Sequence, residues 1–222
     1  MTLAPDAVRT MFDRIAPVYD AMNRVMTAGL DLRWRRIAAT AVVRPGDRVL
    51  DAACGTGDFA VADARAGAGH VIGLDFSERM LARARNKAPW VEWVRGDMLA
   101  LPFPDSSFDA ATVGFGVRNT DLEGALGELR RVLRRGGRLA VLETTQPVGL
   151  LRPFYSLWFD RLVPMVGRLL PGGEAYAYLP ASAKRFPPAE ELAERMRRAG
   201  FEDVHVRRLG GSIVALHTGV AA

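Results

Sequence analysis

Several things are scarce in this 222-residue chain, and each scarcity removes a class of protein. There is one cysteine, Cys54, so no disulfide can close within the chain, and a reducing compartment, read as the cytoplasm, is expected. The three histidines, His70, His205 and His217, lie far apart without metal-ligand spacing, so no metal is expected. No uncharged run approaches the roughly 18 residues of a membrane span. The opening MTLAPDAVRTMFDRIAP carries Asp6, Arg9, Asp13 and Arg14 where a secretory signal would be apolar, so none is expected. Lysine is nearly absent, with 28 arginines against Lys87 and Lys184 and a net charge of +5. The cations are interleaved with acids and never form a run of five like charges, which reads as general surface charge, with no nucleic-acid partner expected. With 49% hydrophobic and 25% charged residues, the composition is that of a soluble globular protein.

The length fits one α/β domain, residues 1–222, better than two independent cores. Within it, 1–44 reads as a helical N-terminal cap, 45–143 as a nucleotide-type core, 144–186 as a helical insert or lid, and 187–222 as a final helix and strand hairpin. Apolar runs at 49–53, 71–75, 91–94, 109–113, 139–142, 204–209 and 212–217 alternate in the middle of the chain with helical patterns. That alternation predicts a doubly wound, mostly parallel sheet of seven strands. Ser77 reads as the N-cap of one helix. Another, Leu122–Leu133, reads as ending at a Gly136-Gly137 C-cap. The short Gly210-Gly211 link predicts a hairpin, hence an antiparallel last strand.

The strongest local pattern is Val49-Leu50-Asp51-Ala52-Ala53-Cys54-Gly55-Thr56-Gly57-Asp58. Glycines directly after a first strand let the backbone approach a ligand, and the helix that follows presents free N–H groups. Gly55-x-Gly57-x-x-Ala60 also fits the dinucleotide fingerprint, but Asp51 and Asp58 would repel a pyrophosphate. S-adenosyl-L-methionine (AdoMet) instead brings an ammonium and a sulfonium for the acids and a carboxylate for the loop amides. Asp75 ends the second strand about 20 residues on, where a carboxylate can hold two ribose hydroxyls; its alternative is a helix-terminal acid, a job open to Ser77. Asp97 ends the third strand and can accept from an adenine amino group while Met98 packs on the ring; the alternative is a turn aspartate. Three successive strands each bring an acid to one sheet edge.

Asp51 to Asp58, Gly73-Leu74-Asp75-Phe76-Ser77, Gly96-Asp97, Leu101-Pro102-Phe103-Pro104-Asp105-x-x-Phe108-Asp109 and Arg131-Val132-Leu133-Arg134-Arg135-Gly136-Gly137 together resemble class I AdoMet-dependent methyltransferases. Three narrower stretches resemble the ubiquinone/menaquinone biosynthesis C-methyltransferases: Phe12-Asp13-x-Ile15-Ala16-x-x-Tyr19-Asp20-x-Met22-Asn23, Gly114-Phe115-Gly116-Val117-Arg118-Asn119, and Gly211-x-Ile213-Val214-Ala215-Leu216-His217. The resemblance implies a Rossmann-like fold and methylation of a ring carbon of a polyprenylated quinol. Demethylmenaquinol is the expected substrate; a methoxy-polyprenyl-benzoquinol or another small molecule is the alternative. It carries over Thr56, Asp75, Asp97 and Met98 as AdoMet contacts, to which the glycine turn adds Asp51, Gly55 and Gly57. Two positions depart from the pattern. Ala53 stands where many class members have a first glycine, and Gly114 stands where some relatives have a serine.

Methyl transfer from a sulfonium needs orientation and removal of water and no covalent nucleophile, so Cys54 reads as a small buried residue. Attack by a ring carbon needs an electron-rich ring. Arg118 and Asn119, just past the fourth strand, are expected to stabilise the quinolate, and Tyr19 to close the pocket. The alternative for Arg118 is an ion pair with Asp121 or Glu123. His217 reads as structural or as a support for site residues. The apolar, arginine-bearing stretch Leu150–Leu170 is expected to serve as a lid, as a contact with the membrane surface, or as both. A homodimer is left open. Three other classes compete: another small-molecule methyltransferase, a nucleic-acid methyltransferase and a non-catalytic nucleotide-binding module. The fourth strand ends without the Asn/Asp-Pro-Pro-aromatic or Pro-Cys sequences of the nucleic-acid enzymes.

Overall fold

Neighbouring residues in the central strands are apolar in both directions, and a strand sends successive side chains to opposite faces. Leu50, Ala111, Leu139 and Val141 enter one buried cluster, while Val49, Ala110, Ala140 and Leu142 enter another. A sheet with two apolar faces must be covered on both, and helices from opposite sides do so.

The structure, a computed structural model, describes residues 5–146, 182 and 185–222. Three helices come first: α1 (Pro5–Ile15), α2 (Tyr19–Thr27) and α3 (Leu30–Val42). The core then alternates β1 (Arg48–Ala52), α4 (Asp58–Arg65), β2 (His70–Asp75), α5 (Glu78–Lys87), β3 (Glu92–Arg95), β4 (Phe108–Gly114), α6 (Leu122–Val132) and β5 (Leu133–Thr144). The chain closes with α7 (Ala189–Arg198), β6 (Phe201–Leu209) and β7 (Val214–Ala221). Strand order is β3-β2-β1-β4-β5-β7-β6; β7 runs antiparallel to both neighbours, and the pairs among β1 to β5 are parallel. The expected doubly wound sheet with an antiparallel last strand is therefore present. On one face Leu126 and Leu129 of α6 join Leu192 and Met196 of α7; on the other Trp34 and Val42 of α3 join Phe59 of α4. The expected insert at 144–186 falls largely outside the described residues, as does all of Leu150–Leu170.

Two expectations need correction. Helix α6 ends at Val132, and Gly136-Gly137 is no C-cap: Leu133 already pairs with Phe108 in the sheet, and the next register partner of β4 is Arg138. Leu133 and Phe108 are both fully buried, so their contact pulls the backbone straight before the glycines arrive, and 134–137 form an irregular excursion. The last hairpin does turn at Gly210-Gly211, but through a short 3-10 turn, Gly210–Ser212; its first strand begins earlier than the apolar run suggests, at Phe201, and its second is shifted later, to Val214–Ala221.

Candidate functional site

Strand order reverses at β1, which lies between β2 and β4, and a cavity of about 950 Å³ opens beside the carboxyl ends of these strands. Tyr19, Gly55, Asp75, Asp97, Met98, Arg118 and Asn119 all line it. Asp51, Thr56 and Gly57 are not among its lining residues.

Asp75 links two strands at this edge. Its Oδ2 accepts from Gly55 N at 2.8 Å and its Oδ1 from Ser77 N at 2.9 Å, which ties the glycine turn to the end of β2. The cap of α5 is Ser77 itself, whose Oγ accepts from Met80 N at 3.1 Å, so Asp75 is not the helix cap. Burial pushes the Asp75 carboxyl up to about 6, against the pull of the Ser77 and Gly55 N–H groups. A carboxylate has room for about four donors, so the Gly55 and Ser77 N–H groups leave acceptor capacity for a ligand. Asp97 takes the turn position, where its Oδ1 accepts from Leu99 N at 2.9 Å, and it also lines the cavity together with Met98.

The turn itself contains a strained position. Ala53, in place of a class glycine, sits at φ +54, where a side chain costs on the order of 1 kcal/mol. Its methyl is tolerated because Gly116 faces it: a Cβ there would stand 2.7 Å from that of Ala53. Gly57, at φ +85, serves packing, since a Cβ on it would meet the Trp93 ring at 2.4 Å.

The acids of the glycine stretch are held by protein partners and are not among the cavity-lining residues. Asp51 lies beneath the turn, where its Oδ2 accepts from Ala60 N at 2.8 Å and fastens α4 to β1. Close by is a second buried acid, Asp63, whose Oδ2 accepts from Thr112 Oγ1 at 2.7 Å; the remaining oxygen of each has no partner among the described residues. Burial pushes Asp63 up to about 8, and burial followed by the charge of Asp63 raises Asp51 as well. Asp58 takes Arg24 Nη2 at 2.6 Å and Lys87 Nζ at 2.7 Å. Burial raises its pKa, but the charges of Lys87 and Arg35 and the hydrogen bonds from Arg24 and Lys87 outweigh that and hold it below the usual range. Lys87 also reaches Asp20 at 2.8 Å, and Thr56 Oγ1 donates to Asp20 Oδ1. These charges bind α2 onto α4 and α5; the expectation that Asp58 faces a ligand ammonium gives way to this network.

Past β4, Val117–Asn119 form a 3-10 turn. Arg118 does not pair with Asp121 or Glu123: Asp121 caps α6 by accepting from Gly124 N, and Glu123 pairs with Arg195 at 2.6 Å. Its Nη1 donates instead to Phe115 O at 2.9 Å and to Glu143 Oε1 at 2.5 Å. Asn119 Nδ2 lies 3.5 Å from Phe115 O. Tyr19, at the start of α2, packs edge-on against Phe12, with ring centroids 6.3 Å apart, and its ring faces Gly55. Cys54 is buried and its thiol is pushed well up by burial, which does not suit a nucleophile. His217 Nε2 donates to Ala189 O at 2.8 Å, a structural tie between β7 and α7. Among the described residues no cluster of His, Cys, Asp or Glu could hold a metal.

Sequence reading passed over Glu143, Asp63 and the Arg24–Lys87 network. Glu143 was within reach, because it ends a strand at the edge that singles out Asp75 and Asp97.

The fold, the cavity at the strand reversal and its carboxylates suit AdoMet, whose hydroxyl, amino and cationic groups call for acceptors of this kind. They define the chain as a class I AdoMet-dependent methyltransferase. A family model described as the ubiE/COQ5 methyltransferase family matches residues 1–221, and the chain belongs to that family. A demethylmenaquinone methyltransferase of Thermus thermophilus is 47% identical, covering 94% of this chain and 99% of its own. A 2-phytyl-1,4-naphtoquinone methyltransferase of Synechococcus elongatus is 41% identical, over 90% and 91% of the two chains. Among solved structures, an S-adenosylmethionine-dependent methyltransferase of Thermotoga maritima, described as a possible histamine N-methyltransferase, superposes with a TM-score of 0.66 at 24% identity, over 96% of this chain and 100% of its own. The likeness to that structure is one of fold.

Proposed function

We propose that this enzyme transfers the methyl group of AdoMet to a ring carbon of a polyprenylated quinol, converting demethylmenaquinol to menaquinol. The observation that carries this reading is that one cavity is lined both by Asp75, Asp97 and Met98 and by Tyr19, Arg118 and Asn119. Relatives named demethylmenaquinone methyltransferase, at 41% to 47% identity over most of the chain, favour the menaquinone branch over the benzoquinol alternative.

AdoMet supplies an electrophilic methyl group on sulfur. Asp75 holds the ribose hydroxyls, and Asp97 with Met98 holds the adenine. The loop amides near Gly55 meet the carboxylate end. Asp51, Thr56 and Gly57 act from behind, by fixing the turn that presents Gly55. The quinol hydroxyl next to the reacting ring carbon gives its proton to solvent, and the Arg118 guanidinium stabilises the oxyanion left behind. The ring carbon then takes the methyl as S-adenosylhomocysteine leaves, and the hydrogen on that carbon departs as a proton while the oxygen is reprotonated, which restores the aromatic quinol. Asn119 and Tyr19, which line the same cavity, exclude water. Arg118→Ala is the test: single-turnover methyl transfer should fall on the order of a hundredfold, the range for loss of one oxyanion donor, with AdoMet affinity unchanged. Weaker AdoMet binding with an unaltered chemical step would take Arg118 out of this role.

A substrate with a polyprenyl tail resides in a bilayer, so the enzyme works at its surface. Support comes from the α2–α3 junction, where Val25, Leu30 and Leu32 are 56%, 39% and 42% exposed. Arg33 and Arg36 are exposed beside them, while the one acid between residues 21 and 44, Asp31, is buried against Arg24 and Arg35. Apolar side chains flanked by arginines, with no exposed acid in residues 21–44, suit an anionic membrane surface. Among the described residues no helix is long and apolar enough to cross a membrane. Val25→Asp with Leu32→Asp should reduce cosedimentation with anionic vesicles and spare activity on a short-tailed quinol; unchanged cosedimentation would remove this surface from the proposal.

A further inference from the structure

Glu143 lies next to the last β5 position that pairs with β4, Leu142 opposite Gly114. Its side chain is 1% exposed and that of Arg118 7%, so their ion pair is buried although Arg118 lines the cavity. Glu143 Oε1 accepts from Arg118 Nη1 and also from Thr144 N at 2.8 Å, which anchors the carboxylate to the strand end. Nη1 has two hydrogens, and Phe115 O and Glu143 Oε1 take both. A guanidinium is planar, so committing one nitrogen fixes the whole fork. The donors on Nε and Nη2 remain, and Nε is buried with no partner among the described residues. The carbonyl of Phe115 is itself set by a left-handed residue, at φ +60, which non-glycine side chains adopt only when the surroundings enforce it. Burying two charges costs desolvation, and an apolar pair in their place is often no less stable. Stability alone therefore does not account for this pair at a cavity wall, whereas fixing a donor fork there does.

We propose that Glu143 is a positioning residue for methyl transfer. It sets the plane of the Arg118 guanidinium before the quinol arrives and offsets its charge, so that the forming oxyanion meets an oriented donor and not a loose cation. This rests on the oxyanion role proposed for Arg118.

The test compares Arg118→Ala, Glu143→Ala, the double variant and Glu143→Gln in the full chain, with AdoMet affinity as the measure of intact folding. Glu143→Ala should lower kcat at least tenfold with AdoMet affinity within twofold of the parent, and the double variant should be no slower than Arg118→Ala alone. Glu143→Gln keeps an acceptor and should restore most of the rate. The unneutralised arginine should then favour the deprotonated quinol and move the acid limb of the kcat–pH profile to lower pH. If Glu143→Ala fails to bind AdoMet, that shift in Glu143→Gln decides. An unchanged kcat in Glu143→Ala, losses that multiply in the double variant, or an unshifted limb in Glu143→Gln would overturn the proposal. If Arg118→Ala itself leaves kcat intact, the oxyanion reading falls, and that result is distinct from failure at Glu143 alone.

Discussion

Two groups of aspartates gather around the glycine turn and the strand ends beside it, and they do opposite work. Asp75 and Asp97 line the cavity, and each already holds a backbone N–H that fixes its place. Asp51 and Asp63 are buried beneath the turn and touch α4 and β4 instead. A carboxylate is useful to a ligand when its remaining lone pairs open on a cavity; one sealed under the backbone shapes the turn and resists ionising. Asp51 and Asp63 are the nearer pair to the glycines in sequence, so nearness to that motif does not mark a ligand-facing acid; a place on the cavity wall does.

The sharpest way to break this comparison is Asp75→Asn. It keeps the shape but removes the charge and one acceptor, so AdoMet affinity should fall by about 1.5–3 kcal/mol for each charge-assisted bond lost, read by calorimetry. Asp51→Asn should change that affinity much less. Because the Asp75 carboxyl lies at about 6, AdoMet binding by the parent should also weaken as pH falls through that value and the carboxylate is protonated. Equal losses from the two variants would erase the distinction.

A second effect concerns stability. Asp63, near 8 in the folded chain, keeps a proton that the unfolded chain releases above about 3.8. Its contribution is most favourable below about 4 and is lost as pH rises toward 8. Asp63→Asn, always neutral, should remove that slope, so its melting temperature should gain on the parent between pH 5 and pH 8 while AdoMet affinity stays the same. A parallel pH dependence in both proteins would contradict the burial account.

The smallest effect is at Ala53. Ala53→Gly relieves φ +54 but loosens the unfolded chain, so its net change should stay within about 1 kcal/mol. A larger loss, seen by denaturant titration, would mean that the methyl packed against Gly116 matters more than the strain.

The parts of this arrangement legible in the sequence are those written locally. The Asp51–Asp58 turn, the Ser77 cap and the strand-end acids Asp75 and Asp97 each depend on residues a few positions apart, and each lies where its pattern indicates. The Gly136-Gly137 misreading and the overlooked Glu143 and Asp63 share a physical cause. Leu133 leaves the helix because Phe108, on another strand, buries it, and Glu143 and Asp63 acquire their roles from Arg118 and Thr112, both remote in sequence. Partners set by tertiary contact leave no spacing to read.

The central claim is that one cavity brings a sulfonium methyl to a quinol ring carbon. Incubating the enzyme with AdoMet carrying a deuterated methyl group and reduced demethylmenaquinone, then locating the label by mass spectrometry and NMR, tests it most directly. The label should appear on the ring carbon, and the product should be menaquinol. Label on a ring oxygen, or none on the quinol although AdoMet binds, would contradict it.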